Sequence, residues 1–302
     1  MENISNIFEK NIPLAKYTTF RIGGPADVFV RARSLKSLRE ALCYAAEMKL
    51  PVLVIGGGSN LLINDRGIRG MVVKNELKGI RKQGNLVTIK SGEKVSKLVD
   101  FARQSGLAGL EFMAGIPGSV GGAVFGNAGA YGRAIGDLIK SAVLLKNDGS
   151  GIIEATTDFF NFTYRRSRLR DTRDVLVSIT LELDPGDPLE IGKEIDRIIA
   201  ERASKHPDES WGCAGSYFKN IDPPHPGERR IPAGMLLEKV GAKCMKEGEA
   251  MVFPKHANFL TNPGNATCEE IRKLADTLKK LVKEEFSIEL EEEVIYVSEI
   301  PE

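Results

Sequence analysis

The chain has 302 residues, 42% hydrophobic and 27% charged, which suits a globular protein with one large core or a few smaller ones. Its 42 Lys and Arg against 41 Asp and Glu leave a formal net charge of +1, so no basic field marks it for nucleic acid or an anionic membrane surface. The longest apolar runs fall far short of the ~20 residues that span a bilayer. Met1–Ile7 lacks the basic and apolar regions of a signal peptide, so the expected location is the cytoplasm. Cys43, Cys213, Cys244 and Cys268 form no C-x-x-C pair, and His206, His225 and His256 complete no metal-ligand spacing. Neither a disulfide framework nor a metal site is expected.

Asp27–Arg31 reads as a strand, and Ser34 as the cap of a helix with Leu38, Ala41, Leu42, Ala45 and Met48 inward. Pro51–Ile55 is a second strand, and such a βαβ unit favours a parallel pair with the helix on one face. From Met71 the pattern turns to strands: Met71–Lys74, Leu86–Lys90, a hairpin of Ser141–Lys146 and Gly151–Glu154, and Asp174–Leu183. Val95, Leu98, Val99 and Ala102 mark a helix among them. Asp184-Pro-Gly-Asp-Pro188 is a boundary. Beyond it Asp187 caps a helix, Glu190 completes a capping box, and Ile191, Ile195, Ile198, Ile199 and Ala203 face inward as far as His206. Another long helix runs from Cys268 to Glu285 with Ile271, Leu274, Leu278 and Leu281 on one stripe, and Ser287–Val297 closes the chain as a strand. These breaks divide the chain into 1–70, 71–185 and 186–302.

The 31 glycines cluster. Gly56-Gly-Gly-Ser-Asn60 directly follows a strand, so backbone N–H groups can converge there beside the polar Ser59 and Asn60. That chemistry suits a phosphate or pyrophosphate; a tight turn between strands is the alternative. The run is not G-x-G-x-x-G and leads into a turn at Asn64–Gly67, which excludes a Rossmann fingerprint. The second run, Ala114–Gly132, places seven glycines in nineteen residues, a costly composition for a plain linker. Close backbone approach to a flat, phosphorylated ligand explains it, with close helix packing as the alternative.

Five motifs resemble, in order, the FAD-binding half of the UDP-N-acetylenolpyruvoylglucosamine reductase family. They are Tyr17-Thr-Thr-Phe-Arg-Ile-Gly-Gly-Pro-Ala26, Gly56-Gly-Gly-Ser-Asn-Leu-Leu62, Gly115-Ile-Pro-Gly-Ser-Val-Gly-Gly122, Asn127-Ala-Gly-Ala-Tyr-Gly132 and Tyr164-Arg-Arg-Ser167. Ala214-Gly-Ser-Tyr-Phe-Lys-Asn220 and Lys255-His-Ala-Asn-Phe-Leu260 resemble the family's substrate domain. The length resembles the family's shorter form, which lacks an extra tyrosine-bearing loop. The resemblance implies an α+β protein: a vanillyl-alcohol-oxidase/p-cresol-methylhydroxylase-type FAD-binding fold in two subdomains, 1–70 and 71–185, with a C-terminal substrate-binding domain at 186–302. It implies FAD held by Gly56, Gly57, Gly58, Ser59 and Asn60 and by Gly115, Ile116, Pro117, Gly118, Ser119, Gly121 and Gly122, with NADPH as co-substrate. The implied reaction reduces a UDP-sugar enolpyruvyl ether to UDP-N-acetylmuramate for peptidoglycan, by hydride from flavin N5. No nucleic-acid or membrane partner and no metal are expected, and the shorter form suggests a monomer.

Three residues carry the family's chemistry by position. Arg165, in the Tyr-Arg-x-x-Ser pattern, offers a guanidinium that grips a carboxylate and keeps its charge. Ser216 matches the family's proton donor; a hydroxyl is a poor acid, and Lys219 and Asn220 are the neighbours expected to poise it. Glu293 matches the third residue, near the developing enolate, and period-2 alternation puts it with Glu291 and opposite Glu292. Tyr131, Lys219 and Asn220 are expected to touch the substrate, and His256 to be a structural or rim residue. Three stretches depart from the family pattern: Ile295 replaces an arginine, Ala242–Glu249 replaces a glycine-rich stretch, and Ile221–Arg230 replaces a shorter link. They keep two alternatives open, a same-fold flavoprotein acting on another UDP-sugar or carboxylate, and a flavin-binding protein without turnover.

Overall fold

The computed structural model describes residues 8–299 apart from 209, 224 and 226. Residues 1–7 of the expected first subdomain, and 300–302 of the last, lie outside the described residues. In the first unit, β1 (Phe8–Pro13) runs antiparallel to β2 (Pro25–Ala32). Then comes α1 (Leu35–Glu47), capped reciprocally by the hydroxyls of Ser34 and Ser37. Leu38, Ala41, Leu42 and Ala45 are buried as expected, whereas Met48, at the cap, is exposed.

The unit continues with β3 (Val52–Ile55), β4 (Leu61–Ile63) and β5 (Ile68–Asn75). The sheet order is β1-β2-β5-β3, with β2 and β3 each parallel to β5. The strands flanking α1 therefore do not pair directly, because β5 inserts between them. Met71 and Val73 of β5 pack into one core while Ile68 and Val72 pack into another, as a central strand buried on both faces must. This corrects the expected division at 70/71: it falls inside β5, and the first unit extends to Asn75.

The second unit begins with β6 (Ile80–Gln83), β7 (Leu86–Lys90), α2 (Val95–Gln104), β8 (Leu107–Ala108) and α3 (Val120–Phe125). It goes on through β9 (Gly129–Ala130), β10 (Arg133–Ala134), β11 (Ile139–Leu145), β12 (Ile152–Thr156) and α4 (Leu169–Thr172). It ends with β13 (Val175–Glu182), β14 (Asp184–Pro185) and α5 (Pro188–Lys205). The main sheet is β12-β11-β13-β7-β6, antiparallel throughout. Ile191, Ile195 and Ile198 of α5 join the core under this sheet, so the expected division at 185/186 also moves, to the end of α5. Ile199 and Ala203 are exposed instead of inward. Asp187 caps α5 by accepting the Leu189 N–H at 2.9 Å, but no capping box forms, because the Glu190 carboxylate pairs with Lys193 at 2.7 Å.

The third unit holds β15 (Gly212–Cys213), α6 (Ala233–Lys239), β16 (Lys246–Glu247), β17 (Ala250–Val252), β18 (Leu260–Asn262) and α7 (Cys268–Phe286). Ile271, Leu274, Leu278 and Val282 of α7 cover the sheet β15-β18-β17-β16. The expected strand 287–297 is reduced to β19 (Ile295–Val297), which pairs in parallel with β4 of the first unit. Residues 288–294 cross between units and spend their hydrogen bonds on successive partners, so no continuous ladder forms. No helix among the described residues is long and apolar enough to cross a membrane, and the described residues hold no cluster of potential metal ligands.

His206 closes α5 and packs its ring 4.8 Å from Phe259 and 6.1 Å from His256, joining the second unit to the third. Burial, aided by the Arg202 cation, pushes its imidazole down to about 4. The unfolded chain takes up this proton first, so stability falls as pH drops from about 6.5 towards 4. We expect the stability difference between parent and His206→Phe to shift in favour of the variant by about 2 kcal/mol between pH 7 and pH 4.5 in urea unfolding. A difference independent of pH would show that His206 is not buried neutral.

Candidate active site

Both glycine-rich loops follow from backbone demands. Gly58 has φ +67°, and its carbonyl accepts the Thr19 N–H at 3.2 Å. The Asn60 carbonyl accepts the Ile295 N–H at 3.0 Å, and the Gly56 carbonyl takes the Lys74 ammonium. Among the described residues the N–H groups of Gly57, Gly58, Ser59 and Asn60 find no protein acceptor. The second loop is alike. Gly118 has φ +110°, its carbonyl accepts the Val95 N–H, and the N–H groups of Gly118 and Ser119 are unengaged among the described residues.

The loops touch each other. A Cβ on Gly57 would lie 2.5 Å from the Gly118 Cα, and one on Gly56 only 2.1 Å from the Ser119 Oγ. The Ser59 hydroxyl donates to the Pro117 carbonyl at 3.1 Å. Part of the glycine content therefore serves packing, and the rest leaves two adjoining rows of unused donors. Such donors fit the pyrophosphate of a dinucleotide cofactor. Three of the other expected cofactor residues do structural work through their backbones. Ile116 donates to Met113, Gly121 donates to Ser91, and Gly122 donates to the Ser119 hydroxyl that caps α3.

Arg165 sits in a tight turn in which Thr163 and Arg166 exchange both backbone hydrogen bonds, at 3.1 and 3.2 Å. Its φ of +56° is uncommon for a branched-headed side chain and has a cost of about 1 kcal/mol or more. Asn127 holds the turn by donating to the Thr163 carbonyl at 3.0 Å, and Ser167 donates to the Phe125 carbonyl at 2.8 Å. The turn delivers the Arg165 Nε to 2.8 Å from a Glu293 carboxylate oxygen, both side chains about one-fifth exposed.

Glu293 is fixed through its backbone from two sides. Its N–H donates to the Tyr217 carbonyl at 2.8 Å, and its carbonyl accepts from the Asn60 amide at 3.0 Å. Burial raises its carboxyl above the usual range, against the opposing pull of Arg165 and, more weakly, of Lys219 and Arg170. Glu291 pairs with Lys219 and Glu292 with Lys279 of α7, so the expected alternation holds without a continuous strand.

Ser216 precedes Tyr217 and is half-buried, and its hydroxyl has no protein partner among the described residues. The neighbours expected to poise it are committed elsewhere: Lys219 to Glu291, and the Asn220 side-chain oxygen to the Ala233 N–H at the start of α6. Tyr131 is exposed and donates to Glu201 of α5 at 3.1 Å, and it is not among the residues lining the cleft of Lys219 and Asn220. His256 is structural as expected, its Nδ1 accepting the Asn258 N–H. Ile295 packs into the core of the first unit, so nothing at that position restores the cation of the family pattern.

Asn258 was not singled out from sequence, although its motif was. Its amide donates to the Phe218 carbonyl at 2.8 Å, its side-chain oxygen accepts the Phe218 N–H at 2.9 Å, and its carbonyl accepts the Tyr217 N–H. The side chain thus acts as a strand neighbour for the segment carrying Ser216. Asn258→Asp keeps the acceptor and removes the donor beside a buried carbonyl. We expect it to lower unfolding free energy by about 2 kcal/mol in a urea titration; a loss below about 0.5 kcal/mol would show the clamp to be unimportant.

Comparisons with known proteins match both halves of the chain. Residues 26–153 match the FAD binding domain model, and residues 206–297 match UDP-N-acetylenolpyruvoylglucosamine reductase, C-terminal domain. A UDP-N-acetylenolpyruvoylglucosamine reductase of Solibacter usitatus is 39% identical over 94% of this chain and 95% of its own length. One of Moorella thermoacetica is 41% identical over 94% and 91%. The crystal structure of UDP-N-acetylenolpyruvylglucosamine reductase from Thermus caldophilus superposes with a TM-score of 0.80 at 29% identity, covering 96% of this chain and 98% of that one. Both glycine-rich loops lie inside the matched FAD-binding domain and Ser216 and Glu293 inside the matched C-terminal domain, and the chain belongs to the UDP-N-acetylenolpyruvoylglucosamine reductase family.

Proposed function

We propose that the chain catalyses the NADPH-dependent, FAD-mediated reduction of UDP-N-acetylglucosamine enolpyruvate to UDP-N-acetylmuramate, a step in making peptidoglycan precursors. The observation that carries this reading is the Arg165–Glu293 pair, set where Asn60 of the first glycine loop meets the C-terminal unit. The unengaged N–H groups of Gly57–Asn60 and of Gly118 and Ser119 would hold the cofactor's pyrophosphate. When bound and reduced by NADPH, the flavin supplies the hydride that the terminal carbon of the enol ether accepts.

That addition leaves negative charge on the adjacent carbon and its carboxylate. Arg165 answers it with a guanidinium whose planar donors match a carboxylate and whose charge is permanent. Glu293, raised by burial, accepts a proton more readily than an exposed glutamate and so tolerates the growing charge beside it. Ser216 Oγ delivers the proton to the carbon next to the carboxylate, completing the addition across the double bond. The same reading has the enzyme working as a cytoplasmic monomer on its soluble nucleotide-sugar substrate.

Anaerobic two-step flavin titration tests the proposal. In Ser216→Ala we expect NADPH to bleach the flavin as in the parent, while reoxidation by the enolpyruvyl substrate slows by about 100-fold or more. Equal reoxidation rates would remove Ser216 from the mechanism. A parent protein that bleaches but ignores the substrate would overturn the substrate assignment and leave the FAD-binding domain intact.

A further inference from the structure

Beside the Arg165–Glu293 pair lies a cleft of about 400 Å³, lined by Tyr164, Lys219, Asn220, Asp222, Arg230 and Glu291 among others. Asp222 and Arg230 come from the 221–230 segment, which neither the glycine loops nor the three reacting residues account for. Arg230 stacks its guanidinium 3.8 Å from the centre of the Tyr164 ring, the residue next to Arg165. The Tyr164 hydroxyl in turn accepts the Asn220 N–H at 3.3 Å, so the stack is tied to the cleft wall.

Two ion pairs line this cleft, Lys219 with Glu291 and Arg230 with Asp222, and they share one asymmetry. The cations are the shielded members, 19% and 32% exposed, while their carboxylates are 72% and 78% exposed. Glu289, also in the lining, is paired outward with Lys283 at 2.6 Å. A carboxylate so exposed contributes little to holding its partner and is readily replaced by a better acceptor. A diphosphate is a better acceptor, because it offers several charged oxygens to a lysine point charge and an arginine fork at once.

We propose that Arg230, held flat on Tyr164, is a substrate-binding residue that grips the diphosphate of the nucleotide sugar together with Lys219, and that Asp222 and Glu291 are the counter-ions this ligand displaces. The proposal rests on the UDP-sugar reading above and adds a residue and a role to it. Asp222 then competes with the substrate, and the 221–230 segment sets affinity for the nucleotide half without touching the chemistry.

The holoenzyme provides the test. Kd for UDP is read from the flavin absorbance change or by calorimetry, and KM and kcat from turnover of the enolpyruvyl substrate. Arg230→Gln is expected to raise Kd for UDP and KM at least 10-fold, with kcat and the rate of flavin reduction by NADPH within about twofold. Arg230→Lys is expected to recover part of the loss. Asp222→Asn is expected to tighten UDP about twofold or more and to steepen its salt dependence. UDP binding unchanged in Arg230→Gln, or weakened in Asp222→Asn, would overturn the assignment, as would a loss confined to kcat. Should Arg230→Gln fail to fold or retain FAD, Asp222→Asn still decides. Parent enzyme that binds UDP but does not turn over the enol ether would defeat the reaction assignment and leave this one standing on the UDP titration.

Discussion

A carboxylate withdrawn from water must have a cation beside it and a backbone that holds it there, and in this chain three units meet to supply both for Glu293. The first contributes Asn60, the second Arg165, and the third the Tyr217 carbonyl. Leaving such a buried charge unpaired costs several kcal/mol, so the ion pair and the assembly of the units are one energetic event. The crossing of residues 288–294 and the pairing of β19 with β4 follow from this meeting point. A site built at a junction of this kind has its geometry set by the docking of units and little by any single loop.

Asparagines brace irregular backbone within and between the units. Asn60, Asn127, Asn258 and Asn262 each donate a side-chain amide to a carbonyl from a distant part of the chain: those of Glu293, Thr163, Phe218 and Phe20. An amide side chain presents the same donor and acceptor as a peptide group, so it satisfies irregular backbone where no strand can be continued. That accounts for asparagines recurring in the motifs, in Gly-Ser-Asn, Gly-Asn-Ala and His-Ala-Asn, at the ends of loops that carry function.

The glycine-rich loops answer two demands simultaneously. They let one loop lie against the other at distances no Cβ permits, and they direct carbonyls into protein bonds while leaving adjacent N–H groups unused. An open row of donors beside the half-buried Lys74, whose ammonium is pushed below its ordinary range by desolvation, suits an anionic cofactor. Packing and binding are not alternatives here, since the contact between loops is what brings the two donor rows together.

Local pattern was enough for α1, α2, α5 and α7, for the hairpin around Asp148, and for the two glycine loops, because periodicity, caps and turn residues are properties of neighbours in the chain. The family motifs in register further marked Arg165, Ser216 and Glu293. What the chain pattern did not carry was membership: that β5 sits between β2 and β3, that α5 packs with the second unit, and that the last strand returns to the first. Those depend on which apolar faces find each other over long separations. The same holds for Lys219 and Asn220, which adjacency suggested as partners for Ser216 and which tertiary contacts assign to Glu291 and α6. The contacts of Tyr131, Asn258 and Arg230 were set in the same way, since what a side chain touches depends on what the fold brings to it, and neither spacing nor composition records that.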